Sequence, residues 1–210
     1  MAPQAPGKNT RIQAANKQSI LEAALEAFSR FGYRGTTIDQ IAARAAMSKP
    51  NLLYYYRRKE DIYAAVLEHT LEEWLKPLAG LDPAGDPITE LRRYVAAKLD
   101  LSRRHPDASR LFANEILQGA PHIAKVLKGP LKDIVDRKAR TIAGWIGEGR
   151  IAPVDPYHLI FMIWAMTQHY ADFEVQIRAI LGPAKGTGPE LFATAEETVM
   201  RLLSDGLRLR

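Results

Sequence analysis

Residues 37–59 read Thr-Ile-Asp-Gln-Ile-Ala-Ala-Arg-Ala-Ala-Met-Ser-Lys-Pro-Asn-Leu-Leu-Tyr-Tyr-Tyr-Arg-Arg-Lys, and this pattern predicts two short helices joined by a tight turn. Thr37 is a typical N-cap residue, and Gln40 three residues later completes a capping box. The turn is expected at Met47 and Ser48, with Ser48 capping the second helix. The stretch therefore predicts a pair of helices whose boundaries are set by local capping.

The second predicted helix carries polar, aromatic and basic side chains on its outer face. Pro50 lies in its first turn, where a missing N–H costs nothing, and Leu52 and Leu53 are expected to point inward. The side chains left outside are Lys49, Asn51, Tyr54 and Tyr55, followed by Arg57, Arg58 and Lys59. Such groups read base edges and neutralise phosphates, as in a helix-turn-helix that enters the DNA major groove. An ordinary helical hairpin with a solvated face is the alternative.

The distribution of charge favours a polyanion-binding N-terminal third. Residues 1–67 hold ten Lys and Arg against five Asp and Glu, which accounts for the whole net charge of +5. The remaining residues carry 19 charges of each sign. A basic head on a neutral body is the pattern expected of a DNA-binding module joined to a domain with another task.

The rest of the chain predicts helices and no strands, because apolar residues recur at helical spacing and never alternate over a sustained stretch. The expected helices outside the motif cover about 13–31, 59–78, 86–104, 107–118, 121–127, 129–147, 156–181 and 189–206. The prediction is an all-α protein of about nine helices. It has a flexible basic arm (1–15), a helix-turn-helix head (16–60) and a larger helical body (61–210).

The composition of the chain argues against disulfide-bonded, secreted and membrane-spanning proteins. The chain has no cysteine, so disulfides and thiolate sites are absent, which fits a reducing cytoplasm. The N-terminus lacks the apolar segment of a signal peptide. The longest apolar run, 159–166, is far shorter than the roughly 20 residues of a membrane span, so no membrane partner is expected.

These features together resemble the TetR family of one-component repressors. The resemblance rests on Ala-Phe-Ser-Arg-Phe-Gly-Tyr-Arg-Gly-Thr-Thr (27–37), Ile41-Ala42 with Ala45, Ser48, and Leu53-Tyr-Tyr-Tyr (53–56) with Lys59. It implies a homodimer built through the last two helices, with each head on half of a palindromic double-stranded operator. It places DNA contacts on Lys17, Thr36, Thr37, Ser48, Lys49, Pro50, Asn51, Tyr54, Tyr55 and Lys59. Pro50 is a departure from the family pattern, since many members carry Ala, Gly or Thr at this position.

The body resembles the pyrimidine-responsive members of that family, most clearly over residues 158–173. This implies no cofactor but a small effector, uracil or thymine. Within 156–181, the residues Phe161, Trp164, Gln168 and Asp172 share one helix face. A flat base with alternating carbonyl and N–H groups suits such a set. The candidate effector-binding residues are Trp74, Lys98, Glu115, Phe161, Trp164, Gln168 and Asp172.

Three alternatives remain from the sequence. A TetR-type repressor could respond to another hydrophobic ligand, such as a drug or an acyl compound, if Gln168 did not face the pocket. A small hydrolase or metal enzyme would use His158, His169, Asp172 and Glu115, although no nucleophile motif or phosphate loop accompanies them. A membrane-surface role for the basic head is the third.

Overall fold

A computed structural model describes residues 8–209 of the chain, and their side chains from residue 11 onward. The described part is helical throughout and contains no strand, which confirms the all-α prediction. Its helices are α1 (Lys8–Gly35), α2 (Ile38–Arg44), α3 (Lys49–Tyr55), α4 (Lys59–Ala79), α5 (Pro87–Arg104), α6 (Pro106–Leu117), α7 (Ala124–Val126), α8 (Lys132–Gly147), α9 (Pro156–Asp172), α10 (Glu174–Lys185) and α11 (Pro189–Gly206). A π-helical turn (Leu127–Leu131) joins α7 to α8.

The head forms as the local signals predict. Gln40 N donates to Thr37 Oγ1, and the Gln40 side chain accepts from Thr37 N, so the capping box of α2 is complete. Ser48 Oγ accepts from Asn51 N and starts α3. Ala46 adopts a positive φ of 52° in the turn between the two helices. The predicted helix pair is therefore confirmed, with a left-handed residue where the chain reverses.

Several boundaries differ from the prediction. Helix α1 begins by Lys8 instead of 13, because residues 8–12 contain no helix breaker, and the first seven residues of the predicted arm lie outside the described part. The expected helix 156–181 is broken at Phe173, which has a non-helical ψ of 29° and separates α9 from α10. Gly129-Pro130 does not open a new helix but lies inside the π-turn, which accommodates the missing proline N–H.

The body is built around α5 and α9, which α4, α8 and α11 flank. Asp86 and Asp155 cap α5 and α9 by accepting hydrogen bonds from Thr89 N and His158 N. Trp145 is fully buried in this core and its Nε1 donates to Pro83 O. Helices α5 and α9 pack against each other, and both contribute residues to the cavity described below.

The head and the body share α4. Its N-terminal half packs Ile62 and Val66 into the core of the head, while Leu78 near its end lies in the core of the body. Three residues of α6 and the loop after it, Leu111, Ala120 and Ile123, also join the core of the head. A movement of α4 or α6 therefore reaches the head directly.

Candidate nucleic-acid interface and small-molecule cavity

The outer face of α3 presents an accessible set of polar side chains. Tyr54 is 73% exposed, and Lys49, Pro50 and Asn51 are exposed beside it. Lys49 Nζ forms a salt bridge of 2.9 Å to Asp39 of α2, which holds the ammonium at the N-terminal end of α3. Base-edge contacts in helix-turn-helix proteins come from this end of the second helix. The surface therefore has the geometry of a major-groove reader.

The other predicted DNA contacts divide into exposed and occupied groups. Lys17 of α1 is exposed, whereas Thr37 and Ser48 use their side chains as caps. Tyr55 is half-buried, with its hydroxyl accepting from Asn16 Nδ2 at 2.8 Å. Tyr54 alone of the two tyrosines is fully presented to solvent.

The structure corrects two predicted contacts. Thr36 is buried, and its hydroxyl donates to Ala27 O and Gly32 O, so the side chain closes the end of α1. Lys59 Nζ donates to Tyr33 O at 2.7 Å and to Thr36 O at 2.8 Å. This ammonium also lies 4.6 Å from the centre of the Tyr33 ring. Lys59 therefore ties α4 to the end of α1, and its ammonium is already engaged within the head.

A cavity of about 60 Å³ lies between α4, α5, α6 and α9. A single buried water needs about 10–15 Å³ on the same measure, so the cavity has room for several waters or for a small molecule of similar size. Its lining residues are Thr70, Leu71, Trp74, Leu75, Lys98, Ser109, Phe112, Leu131, Trp164 and Gln168. Four of the seven predicted effector contacts, Trp74, Lys98, Trp164 and Gln168, are thus brought together.

Lys98 is the most unusual group in this cavity. It is only 3% exposed, and its Nζ lies 3.9 Å from the centre of the Trp74 ring. Burial lowers the pKa of Lys98 to about 7, and the charge of Asp172 opposes that shift. Among the described residues, no hydrogen-bond acceptor is assigned to this ammonium. A buried cation without an acceptor is costly, so the cavity favours an occupant that offers one.

Asp172 lies at the end of α9, behind the cavity wall. Its Oδ1 accepts from the hydroxyl of Ser109, at 2.5 Å. Burial raises the pKa of the Asp172 carboxyl, while Ser109 and the charge of Lys98 act in the opposite direction. The lining residue Ser109 therefore connects the Asp172 carboxylate to the cavity.

Trp164 and Gln168 place an aromatic plane and an amide one helical turn apart on the α9 wall. Trp164 Nε1 donates to the Tyr94 hydroxyl at 2.6 Å, which fixes the orientation of the indole. Gln168 lines the cavity, and its amide offers one donor group and one acceptor. The wall therefore has the parts needed to hold the face and the edge of a heterocycle.

Two predicted effector contacts lie elsewhere. Phe161 is 47% exposed on the outer side of α9, because the packing of α9 on α5 points residue 161 away from the cavity. Glu115 is buried but its carboxylate binds His122. Lining residues that the sequence reasoning missed include Thr70, Ser109 and Phe112, from helices whose approach no local pattern reveals.

The residues of the metal-enzyme alternative are dispersed. His169 is exposed and stacks on Phe173, and the His158 ring lies beside that of Phe161. Asp172 accepts a hydrogen bond from Ser109. Within residues 11–209, no group of three or more potential metal ligands occurs. No helix of the described part is both long enough and apolar enough to cross a membrane.

Comparison with known proteins shows the family to which the chain belongs. Residues 20–66 match the model of the tetR family of bacterial regulatory proteins, and residues 67–210 match the C-terminal region of YcdC-like proteins. The chain belongs to the TetR family of transcriptional regulators, which are DNA-binding proteins and not enzymes.

One relative is similar over nearly the whole length. The HTH-type transcriptional regulator RutR of Escherichia coli K12 is 47% identical over 204 residues, covering 97% of this chain and 96% of that protein. Solved structures share the fold. A transcriptional regulator, SCO4942 of Streptomyces coelicolor, has a TM-score of 0.67 at 26% identity over 91% of this chain and 98% of that one. The structure of AibR in complex with isovaleryl coenzyme A and operator DNA has a TM-score of 0.67 at 20% identity. The match covers 89% of this chain and 97% of that one.

Proposed function

We propose that this TetR-family regulator is a repressor that senses uracil or thymine in the cavity beside Lys98. The observation that carries the proposal is the buried Lys98 ammonium, which lines the cavity together with the amide of Gln168. The resemblance of the body to pyrimidine-responsive regulators and the 47% identity to RutR support it. The regulated genes would then be those of pyrimidine catabolism, and the site of action the cytoplasm.

The polar groups of the cavity match the edge of a pyrimidine base. A carbonyl oxygen of the base would accept from Lys98, which gives the buried cation its missing partner. The amide of Gln168 would pair with an adjacent carbonyl and N–H in two-point fashion. Trp74 and Trp164 supply aromatic surface for the face of the ring. A purely hydrophobic effector would leave Lys98 and Gln168 unpaired, so the structure favours a pyrimidine over the drug or acyl alternative.

A homodimer would be formed through α9, α10 and α11. Large apolar side chains remain exposed on these helices in the single chain, namely Phe161, Met162, Val175, Ile180, Leu181 and Leu202. Clusters of exposed apolar side chains mark protein-protein contacts. In a dimer, the two α3 surfaces would read successive major grooves of a palindrome, roughly 34–36 Å apart.

The effector would act on DNA affinity through α4. This helix starts beside the head at Lys59 and carries the cavity residues Thr70 and Trp74. An effector that fits better when α4 is displaced would change the spacing of the heads. By linkage, operator DNA would change effector affinity by the same factor.

Isothermal titration tests the effector. We expect uracil or thymine to bind with a stoichiometry near one per subunit, and uridine and cytosine to bind weakly or not at all. Gln168→Ala should lower the affinity about tenfold, as the loss of two neutral hydrogen bonds implies. The matched control Gln13→Ala removes an exposed glutamine of α1 and should bind like the wild type. Absence of binding by every pyrimidine would reject this effector and favour a regulator of another small ligand.

A further inference from the structure

The carboxylate of Glu115 holds a residue of the following loop and also acts on Tyr63 of α4. Glu115 lies on α6 and is 2% exposed. Its Oε1 accepts from His122 N at 2.7 Å, and its Oε2 lies 3.1 Å from His122 Nδ1. Both oxygens therefore hold His122, in its backbone and in its ring.

The loop between these two residues has a specified conformation. Gly119 and Ala120 both have positive φ, 89° and 56°, and Ala120 is a residue that rarely adopts this region. Ala120 N donates to Glu115 O, and the Ala120 side chain is buried against the core of the head. Glu115 thus holds the loop at Ala120 through its backbone and at His122 through its side chain, and the loop is packed on the head.

The held ring contacts the head. The centre of the His122 ring lies 4.9 Å from that of Tyr33 and 4.9 Å from that of Tyr63, and the two tyrosine rings are 4.8 Å apart. Tyr33 follows Gly32, whose φ of 68° ends the regular part of α1. Lys59 binds the carbonyl and the ring face of Tyr33. Burial raises the pKa of Tyr63 to about 12, and the charge of Glu115 adds to that rise.

Both helices that carry this ring cluster also line the cavity. Helix α6 bears Ser109 and Phe112 in the cavity wall and Glu115 about one turn further on. Helix α4 bears Tyr63 in the cluster and Thr70 in the cavity wall. A displacement of α6 by an occupant of the cavity would therefore move the His122 ring relative to Tyr33, and a displacement of α4 would move Tyr63 against both rings.

We propose that Glu115 and His122 form a strut that sets the position of the DNA head on the body and couples the cavity to the head through Tyr33. Glu115 is a positioning residue in this account, not an effector contact. The coupling half of the proposal rests on the proposed function, whereas the positioning half concerns the ligand-free protein. Loss of the strut should loosen the head without altering the cavity.

The experiment uses the full-length protein, which has no cysteine of its own. Ala43→Cys in α2 and Ala143→Cys in α8 introduce two labelling sites at exposed positions. Spin labels on these cysteines report the head-to-body distance by pulsed electron paramagnetic resonance. The labelled protein is diluted with unlabelled protein. Glu115→Gln and His122→Ala should broaden the distance distribution of the ligand-free protein at least twofold. His122→Phe, which retains a packed ring, should broaden it less. Glu72→Gln, on the exposed face of α4, is the control.

Coupling is measured on the same variants as the ratio of operator affinities without and with saturating uracil. Glu115→Gln should reduce this ratio at least fivefold while uracil affinity without DNA stays within twofold. A variant that lowers only the melting temperature, with wild-type distances and ratio, would overturn the strut. If wild-type protein shows no response to uracil, the proposed effector fails, and the distance distributions alone confirm or overturn the strut.

Discussion

The outer face of α3 and the cavity behind α4 use polar side chains in opposite ways. On α3 the polar groups are solvated, as the 73% exposure of Tyr54 shows, and they lose water only when a partner binds. In the cavity, Lys98 is 3% exposed, so folding has already removed most of its surface from water. Substitutions on α3 should therefore change affinity alone, whereas substitutions in the cavity should change stability and affinity together.

The largest expected effect is on the pH dependence of stability. The pKa of Lys98 is about 7 in the folded protein, against an ordinary value of 10.5. Between these values the unfolded chain binds more protons, so the free energy of unfolding rises with pH; below pH 7 both states are protonated and the contribution is flat. From pH 7 to 9.5 the gain should be about 3 kcal/mol.

Urea unfolding of the wild type and Lys98→Met at several pH values measures this gain as the difference between the two curves. The exposed Lys125→Met is the control and should follow the wild type. Parallel curves for wild type and Lys98→Met would show that the ammonium is solvated, and the contrast between the two regions would disappear.

The next effect is on effector affinity. Lys98→Met removes a charged hydrogen-bond donor to the base, and such bonds contribute about 1.5–3 kcal/mol. Uracil affinity should therefore fall roughly 10- to 150-fold by calorimetry, while operator affinity without effector stays within about twofold. An equal loss of both affinities would mean that the cavity and the α3 surface are not separate sites.

On the α3 surface, Asn51→Ala should weaken operator binding. Loss of a bidentate contact to a base costs about 1–3 kcal/mol, or roughly 5- to 150-fold in affinity. Fluorescence anisotropy with an operator selected by the wild-type protein would measure it, with random-sequence DNA and uracil binding unchanged. The free energy of unfolding should stay within about 0.5 kcal/mol. Asn114→Ala, an exposed asparagine of α6, is the control. An equal loss on random DNA would reassign Asn51 to the phosphate backbone.

The smallest expected effect is on the salt dependence of DNA affinity, in which the neighbouring residues Arg57 and Lys59 should differ. Arg57 is exposed, so Arg57→Ala should lower the slope of log affinity against log salt by about one. Lys59→Met should leave that slope unchanged, because the ammonium binds Tyr33 O and Thr36 O, and should instead cost roughly 1–3 kcal/mol of stability. A reduced slope for Lys59→Met would restore it to the phosphate contacts.

The sequence predicted most of the fold because its signals are local. Thr37 and Ser48 cap the helices that they were predicted to cap, and the helices predicted from residues 86 and 156 begin beside the caps Asp86 and Asp155, since a cap and its partner lie three residues apart. The break at Phe173 carries no such signal, because neither glycine nor proline marks it. The division of the chain at 60/61 stays a prediction, with α4 contributing to both cores.

The cavity was predictable only in part. Trp164 and Gln168 were found from their spacing on one helix, but the same spacing also selected Phe161, which the packing of α9 turns outward. Ser109 and Thr70 enter the cavity through the approach of separate helices, which no periodicity records. Likewise, a basic cluster in sequence does not reveal that carbonyl oxygens bind Lys59, or that His122 binds Glu115.

The buried lysine also has a consequence for covalent chemistry. At pH 7 an amine whose pKa is about 7 is half neutral, whereas a lysine at 10.5 is neutral in roughly one molecule in 3,000. Neutral amines are nucleophiles, so Lys98 should react with a small aldehyde far ahead of the surface lysines. A cavity of about 60 Å³ calls for a compact reagent, and an occupant would shield the amine. Imine trapping and peptide mapping would then read occupancy of the cavity at a single lysine in the intact regulator.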